Sequence, residues 1–253
     1  MIRLLFFIYC CLPISSNAQK VSALFVGNSL TYFSDTPGKL KIMLESKGDS
    51  AYIDQCVAPG FSLWLCFDLE YGTSMLKCIE NKLSSRKWDY IIIQNPNDGF
   101  LSPARKMKSA ILKFDSMAIK NGAKLIMFMP YEGNFFSKYF CDKNNEEVIC
   151  SNTMYKNVRQ VLDSVNVFVN KIQLSSPLIQ SPIGEAHYQY DIKYSKSDLY
   201  TPDFGHPSEL GAYLQACSYY HLITNTFYES ADGDSKKKVV EQIIKSLFTS
   251  TKK

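Results

Sequence analysis

Apolar residues along this chain fall into two kinds of run. Short unbroken runs occur at 23–26, 90–93 and 125–129, with a weaker one at 51–57 and a brief one at 178–183. Such runs suit strands covered on both faces, because neither face then has to present polar groups to water. Between them, apolar positions recur every three or four residues. Leu40, Met43 and Leu44 predict one helix, and Met107, Ala110, Ile111, Phe114, Met117 and Ala118 predict another, closed by Asn121-Gly122. Met154, Val158, Val161, Leu162, Val165, Val169 and Ile172 form the clearest stripe. A further helix is expected after His206 with Pro207 in its first turn. The last helix carries Val239, Val240, Ile243, Ile244 and Leu247. The polar stretch 188–201 reads as an irregular loop.

Strands alternating with helices predict an α/β fold with a central parallel sheet and helices on both faces. In such folds, functional residues gather beyond the carboxyl ends of the strands. Ser29, Asn97 and Pro130-Tyr131-Glu132 all stand just after predicted strands.

The N-terminus carries a different pattern. Arg3, an apolar run over 4–12 and the small-residue exit Ser15-Ser16-Asn17-Ala18 have the form of a secretory signal peptide. Cleavage after Ala18 is expected, leaving 19–253 as a single domain exported to the periplasm or beyond. The run is shorter than the ~20 apolar residues that span a bilayer, although an uncleaved anchor is the alternative reading. No later stretch is apolar enough, so the mature chain is expected to hold no stable membrane span. Its length suffices for a hydrophobic core without obligatory disulfides. Six of the 8 cysteines survive cleavage. Cys141 and Cys150 flank a polar loop that a disulfide would close in an oxidising compartment, and the others read as small buried residues.

Charge and spacing narrow the chemistry. The net charge is only +4, and the cluster Lys236-Lys237-Lys238 opens an amphipathic helix, so a solvated face accounts for it better than a nucleic-acid site. No cysteine pair has Cys-x-x-Cys spacing, and the 3 histidines are not paired at zinc spacing, so no metal site is expected. One glycine after the first strand is not a dinucleotide fingerprint, and no cofactor is implied. His187 reads as a surface or supporting histidine, and His221 as a packing or solvent-facing residue of a helix.

What remains is a serine near one end and an Asp-x-x-His near the other. Gly27-Asn28-Ser29-Leu30-Thr31 follows the first strand, and Asp203-Phe204-Gly205-His206 precedes Pro207-Ser208-Glu209-Leu210-Gly211. A serine hydroxyl attacks an ester only when a base takes its proton, and a carboxylate behind the base fixes the imidazole tautomer. In these blocks and their order, the mature chain resembles the SGNH, or GDSL-type, hydrolases. Its nucleophile block reads Gly-Asn-Ser-Leu where that family usually has Gly-Asp-Ser-Leu.

The resemblance implies a three-layer α/β/α sandwich of flavodoxin-like type, with Ser29 as nucleophile, His206 as general base and Asp203 behind it. It also implies an oxyanion hole formed by the Ser29 N–H, a glycine N–H and an asparagine side chain. Gly60, in Ala58-Pro59-Gly60-Phe61-Ser62-Leu63, matches the glycine. For the asparagine, Ile93-Gln94-Asn95-Pro96-Asn97-Asp98 lacks the usual preceding glycine. Asn97 fits best, with Gln94 and Asn95 as alternatives. Phe61, Trp64 and Tyr131 are candidates for an aromatic wall against a sugar or an acyl chain.

The implied activity is that of an exported serine esterase acting on a small-molecule or glycan ester, with an O-acetylated carbohydrate as the leading substrate. Acyl transfer to a sugar stays open beside hydrolysis. The competing expectation is a non-catalytic glycan-binding or scaffold protein that retains the fold, as the asparagine beside Ser29 and the altered asparagine block would suit.

Overall fold

A computed structural model describes residues 20–68, 70–96, 104–129, 158–194, 198–203 and 205–250. Five parallel strands form one sheet: β1 (Lys20–Gly27), β2 (Ser50–Val57), β3 (Tyr90–Ile93), β4 (Lys124–Met127) and β5 (Ile179–Gln180). Their order is β2-β1-β3-β4-β5. Eight α-helices accompany them among the described residues: α1 (Ser29–Tyr32), α2 (Thr36–Ser46), α3 (Thr73–Ser85), α4 (Ala104–Asn121), α5 (Val158–Asn170), α6 (Ile183–Asp191), α7 (Glu209–Thr224) and α8 (Ser235–Ser250).

The unbroken apolar runs have the expected cause. Successive strand residues point to opposite faces, and each face meets its own helical layer. Ala23, Phe25, Tyr90, Ile92, Ile126 and Phe128 join a core with residues of α2, α6, α7 and α8. Leu24, Val26, Ile91, Ile93, Leu125 and Met127 join a second core with residues of α3, α4 and α5. The three-layer α/β/α sandwich is thus built directly from strand alternation. Helix α7 is buried almost all round, from Gly211 to Tyr220, which is how a helix looks when other helices flank it.

Several local expectations need correction. Only Ile179–Gln180 of the run 178–183 is strand, and Ile183 opens α6 instead. Pro182 lacks an N–H to extend the ladder, so pairing stops after the Ser181 N–H bonds the Met127 carbonyl. Helix α6 occupies the start of the stretch read as irregular loop. Its buried residues Ile183, Ala186, His187 and Tyr190 follow a helical spacing that the polar residues between them obscured. Pro207 lies outside α7: it pairs with Tyr200 in a β-bridge, and Ser208 is the N-cap, its Oγ accepting from the Gly211 N–H at 3.1 Å.

Cys56 and Cys78 are not simple buried thiols. They form a disulfide from β2 to α3, with Cα atoms 6.0 Å apart. The pair expected from the sequence, Cys141 and Cys150, lies outside the described residues, as do the signal-peptide segment, Met154 and Tyr131. Among the described residues, no helix is long and apolar enough to cross a membrane.

Candidate active site

In a parallel sheet of this order, the chain leaves β1 toward β2 on one side, while β3 continues the sheet on the other. The loops beyond the two strands therefore diverge and open a crevice. Ser29 sits at the mouth of that crevice. It is the first residue of α1 and half-buried, while Asn28 and Leu30 on either side are buried. The strand-to-helix turn brings its hydroxyl to the surface from a buried strand.

Close approach around this turn requires glycine at 27. A Cβ there would stand 2.6 Å from both Gln94 Oε1 and Thr31 Oγ1. Gln94, just beyond β3, is 1% exposed and lies against the turn. Its Oε1 accepts from the Asn28 N–H at 2.9 Å and from the Thr31 hydroxyl at 3.0 Å, and its Nε2 donates to the Asn95 carbonyl. Buried polar groups are stable only when so partnered. Asn28 caps α1 by accepting from the Leu30 N–H at 3.0 Å, and its Nδ2 donates to the Phe61 carbonyl at 2.9 Å.

Across the crevice, the segment 198–208 delivers the histidine. The imidazole is held from both ring nitrogens: Nε2 lies 3.0 Å from Ser29 Oγ, and Nδ1 lies 2.6 Å from Asp203 Oδ2. An ionised carboxylate only accepts, so Nδ1 carries the proton. In the neutral ring Nε2 is then the acceptor, facing the serine hydroxyl. Asp203 Oδ1 meanwhile accepts from the Thr201 hydroxyl at 2.6 Å, the Gly205 N–H at 2.8 Å and the His206 N–H at 3.1 Å. Burial alone would push the Asp203 carboxyl up. These hydrogen bonds outweigh it and hold the group well below the usual carboxylate range.

Two contacts set the ring's attitude. Phe33, leaving α1, stacks on His206 with centroids 4.5 Å apart and planes 25° apart. Ser34 then donates from its hydroxyl to the Pro207 carbonyl at 2.9 Å. Ser34 and Asp35 both take left-handed backbone angles, with φ of 57° and 53°. That conformation is uncommon without glycine, and here it turns the chain from the serine into α2. Asp35 recovers a hydrogen bond by accepting from the Gly38 N–H at 3.0 Å.

The structure therefore brings Ser29, His206 and Asp203 into one chain of hydrogen bonds from opposite ends of the sequence. Gly60 lies in the turn after β2, exposed and with φ of 60°, a backbone region that favours glycine. Asn97 lies outside the described residues. Of its alternatives, Gln94 is committed to the turn beneath the serine. Asn95 is fully buried, and its Oδ1 accepts from the Leu63 N–H at 2.9 Å.

His187 is not a surface residue but fully buried on α6, with its Nδ1 3.3 Å from the Tyr200 hydroxyl. His221 packs between the rings of Phe227 and Phe248. Phe61 and Trp64 are half-buried, and the Lys106 ammonium sits 4.4 Å over the Trp64 ring.

Three contributors were missed from the sequence: the acceptor role of Gln94, Thr201 behind Asp203, and Phe33 against the imidazole. Thr201 had a signal, since an aspartate accepting from N–H groups two and three residues on forms a turn that a nearby hydroxyl can reach. Gln94 and Phe33 had none, because their partners are remote in sequence.

No family model matches the sequence, and no curated protein matches it. Solved structures do. A DUF4886 family protein from Bacteroides uniformis superposes with a TM-score of 0.65 at 17% identity, covering 93% of this chain and 97% of its own. A Slackia heliotrinireducens protein assigned to the SGNH hydrolases gives 0.58 at 17% identity, covering 81% and 98%. A Clostridium thermocellum family 3 carbohydrate esterase gives 0.52 at 13% identity, covering 80% and 94%. At these identities the likeness speaks for architecture, and the architecture of this chain is the SGNH hydrolase fold.

Proposed function

We propose that this protein is an exported serine esterase that removes acyl groups, with O-acetylated carbohydrate as its substrate class. The observation that carries the reading is the line Ser29 Oγ, His206 Nε2, His206 Nδ1 and Asp203 Oδ2, with links of 3.0 and 2.6 Å, at the crevice of the sheet. A hydrogen-bonded serine and histidine backed by a carboxylate is the arrangement that activates a hydroxyl.

In the proposed reaction, Ser29 Oγ attacks the ester carbonyl as its proton passes to His206 Nε2. The Ser29 N–H, Gly60 N–H and Asn97 side chain hold the resulting oxyanion. The carbon–oxygen bond to the alcohol then breaks, and His206 returns the proton to the departing alkoxide. A water molecule, deprotonated by the same imidazole, attacks the acyl-enzyme, releasing the carboxylic acid and regenerating Ser29. Asp203 keeps Nδ1 protonated throughout and stabilises the imidazolium.

Two observations support the finer parts of the proposal. The Cys56–Cys78 bridge suits an oxidising compartment, in line with the signal-like N-terminus. Likeness in fold to a carbohydrate esterase favours a sugar ester as the substrate class.

The test uses residues 19–253. Hydrolysis of p-nitrophenyl acetate is expected, with Ser29→Ala at least ~10³-fold slower, and a serine-directed phosphonate is expected to label Ser29. Equal rates for wild type and Ser29→Ala would sink the catalytic reading. Acetate release from acetylated xylan and pectin tests the substrate class, which fails if the simple ester is cleaved but no glycan is. N-terminal mass analysis of the protein from its host tests export, which fails if residues 1–18 remain on a cytoplasmic product.

A further inference from the structure

We infer that Asn28 is a positioning residue whose side-chain amide clamps the Gly60 turn to the nucleophile turn, so that asparagine is required here and aspartate would not serve. The inference rests on the esterase reading above and concerns how its oxyanion site is held together. Asn28 is 1% exposed, and three of its hydrogen bonds reach different parts of the fold. Its N–H reaches Gln94 beyond β3, its Oδ1 caps Leu30 at the start of α1, and its Nδ2 reaches the Phe61 carbonyl beyond β2. The amide orientation is determined by its partners, since one faces a donor and the other an acceptor.

Ala58 and Phe61 rest against the second core, but the turn is open at Gly60 between them. Gly60 is exposed, and a Cβ built on it would meet nothing within 4 Å. The turn begins as the Ala58 N–H bonds the Gly27 carbonyl at 3.2 Å, and it closes as the Phe61 N–H bonds the Ala58 carbonyl at 3.3 Å. The Asn28 amide then holds the Phe61 carbonyl, one residue beyond the glycine. The same residue immediately precedes Ser29, so this side chain, beside the Ala58–Gly27 backbone bond, ties together the turns that carry the Ser29 and Gly60 N–H groups. An oxyanion hole depends on donors fixed in advance of the reaction.

An aspartate at this position would still accept from the Leu30 N–H. Its second oxygen would face the Phe61 carbonyl, acceptor against acceptor, in a buried place. Only the protonated acid, with a hydroxyl to donate, reproduces the amide's pattern. Replacement by aspartate therefore has a pH signature that mere loss of packing lacks.

The experiment compares wild type, Asn28→Asp, Asn28→Ser and Ser29→Ala, all as residues 19–253. Hydrolysis of p-nitrophenyl acetate and thermal unfolding are followed from pH 5 to 8.5. Asn28→Asp is expected to lose about 10–100-fold in kcat at pH 8, with KM within about threefold, because the donors act on the transition state. Both its rate deficit and its melting deficit against wild type should shrink toward pH 5, as the introduced acid takes up a proton. Asn28→Ser keeps a cap for Leu30 but cannot reach Phe61, so its deficit should not change with pH. If Asn28→Asp fails to fold at pH 8, the serine variant's kcat carries the decision. Wild-type kcat in either variant, or an Asn28→Asp deficit constant across pH, overturns the clamp. Absence of Ser29-dependent hydrolysis in wild type would instead refute the esterase reading, while the melting curves still decide the clamp.

Discussion

Replacing Gln94 by methionine keeps the volume of the side chain but removes the oxygen on which the nucleophile turn rests. Oε1 accepts from two buried donors, the Asn28 N–H at 2.9 Å and the Thr31 hydroxyl at 3.0 Å. A Cβ on Gly27 would be 2.6 Å from that oxygen, so the backbone is already pressed against it, and methionine would leave no room for water to replace it. A buried donor left without a partner costs about 1–3 kcal/mol. Two orphaned donors, one of them a rotatable hydroxyl, together with the Asn95 carbonyl that loses the Gln94 Nε2, give an expected loss of about 2–5 kcal/mol. That is a sizeable part of a domain's usual ~5–15 kcal/mol.

The pairwise origin of this loss can be isolated with Thr31→Val. On the wild-type background the valine costs about 1 kcal/mol for the lost bond. On the Gln94→Met background it removes an orphan and should cost nothing or restore stability, a coupling of about 1–2 kcal/mol. Urea unfolding followed by tryptophan fluorescence measures all four corners of the cycle. A Gln94→Met loss below ~0.5 kcal/mol, or strict additivity with Thr31→Val, would refute the argument that Gln94 supports the turn as an acceptor.

Three further outcomes are expected. Asp203 is held below the usual carboxylate range, so its ionised form persists on acidification and its contribution is lost only as pH falls through that depressed value. Log kcat/KM against pH should therefore fall with a slope of one on the acid side down to pH 4.5, and a slope of two would contradict this. Burial pushes the His187 imidazole down to about 3, whereas an unfolded chain binds that proton near the ordinary 6.5. Its contribution to stability is thus complete above pH 6.5 and falls by about 1.4 kcal/mol per pH unit toward pH 3. Between pH 6.5 and 5, urea titrations should show wild type losing about 2 kcal/mol more than His187→Gln, and equal losses would count against it. Removing the Cys56–Cys78 bridge, which joins residues 22 apart, should cost about 3 kcal/mol through loop closure in the unfolded chain. Calorimetry of Cys56→Ala/Cys78→Ala should then show Tm lower by about 6–12 °C, and an unchanged Tm would mean the bridge contributes nothing.

Much of the architecture was legible in local pattern. The runs of β1, β3 and β4 are apolar on both faces because each strand is covered twice, and that requirement is written into consecutive residues. Helix α4 shows its core stripe and ends at Asn121 with Gly122 beyond, as its spacing predicts. Local reading failed where a short segment obeys distant partners. Pro182 and the β4 edge cut β5 to two residues, and polar residues on α6 concealed a helix whose other side is buried. The cysteines misled for the same reason: Cys56 and Cys78 meet because α3 packs beside β2, not because of their spacing.

The site divides along the same line. Residue type and chain order, with the resemblance to SGNH hydrolases that they carry, nominated Ser29, Asp203 and His206, because a nucleophile after a strand and an acid three residues before a histidine are local signals. That the imidazole stands 3.0 Å from the hydroxyl is a property of the fold, since 177 residues separate the two. So is the reason for Gly27, whose missing Cβ makes room for a glutamine 67 positions on. So, too, is the donor role of Asn28, visible only once the Phe61 carbonyl is seen to face it. Periodicity and capping act between neighbours in the chain and can be read there. Hydrogen-bond complementarity in a buried turn acts between residues that meet only when the sheet has assembled.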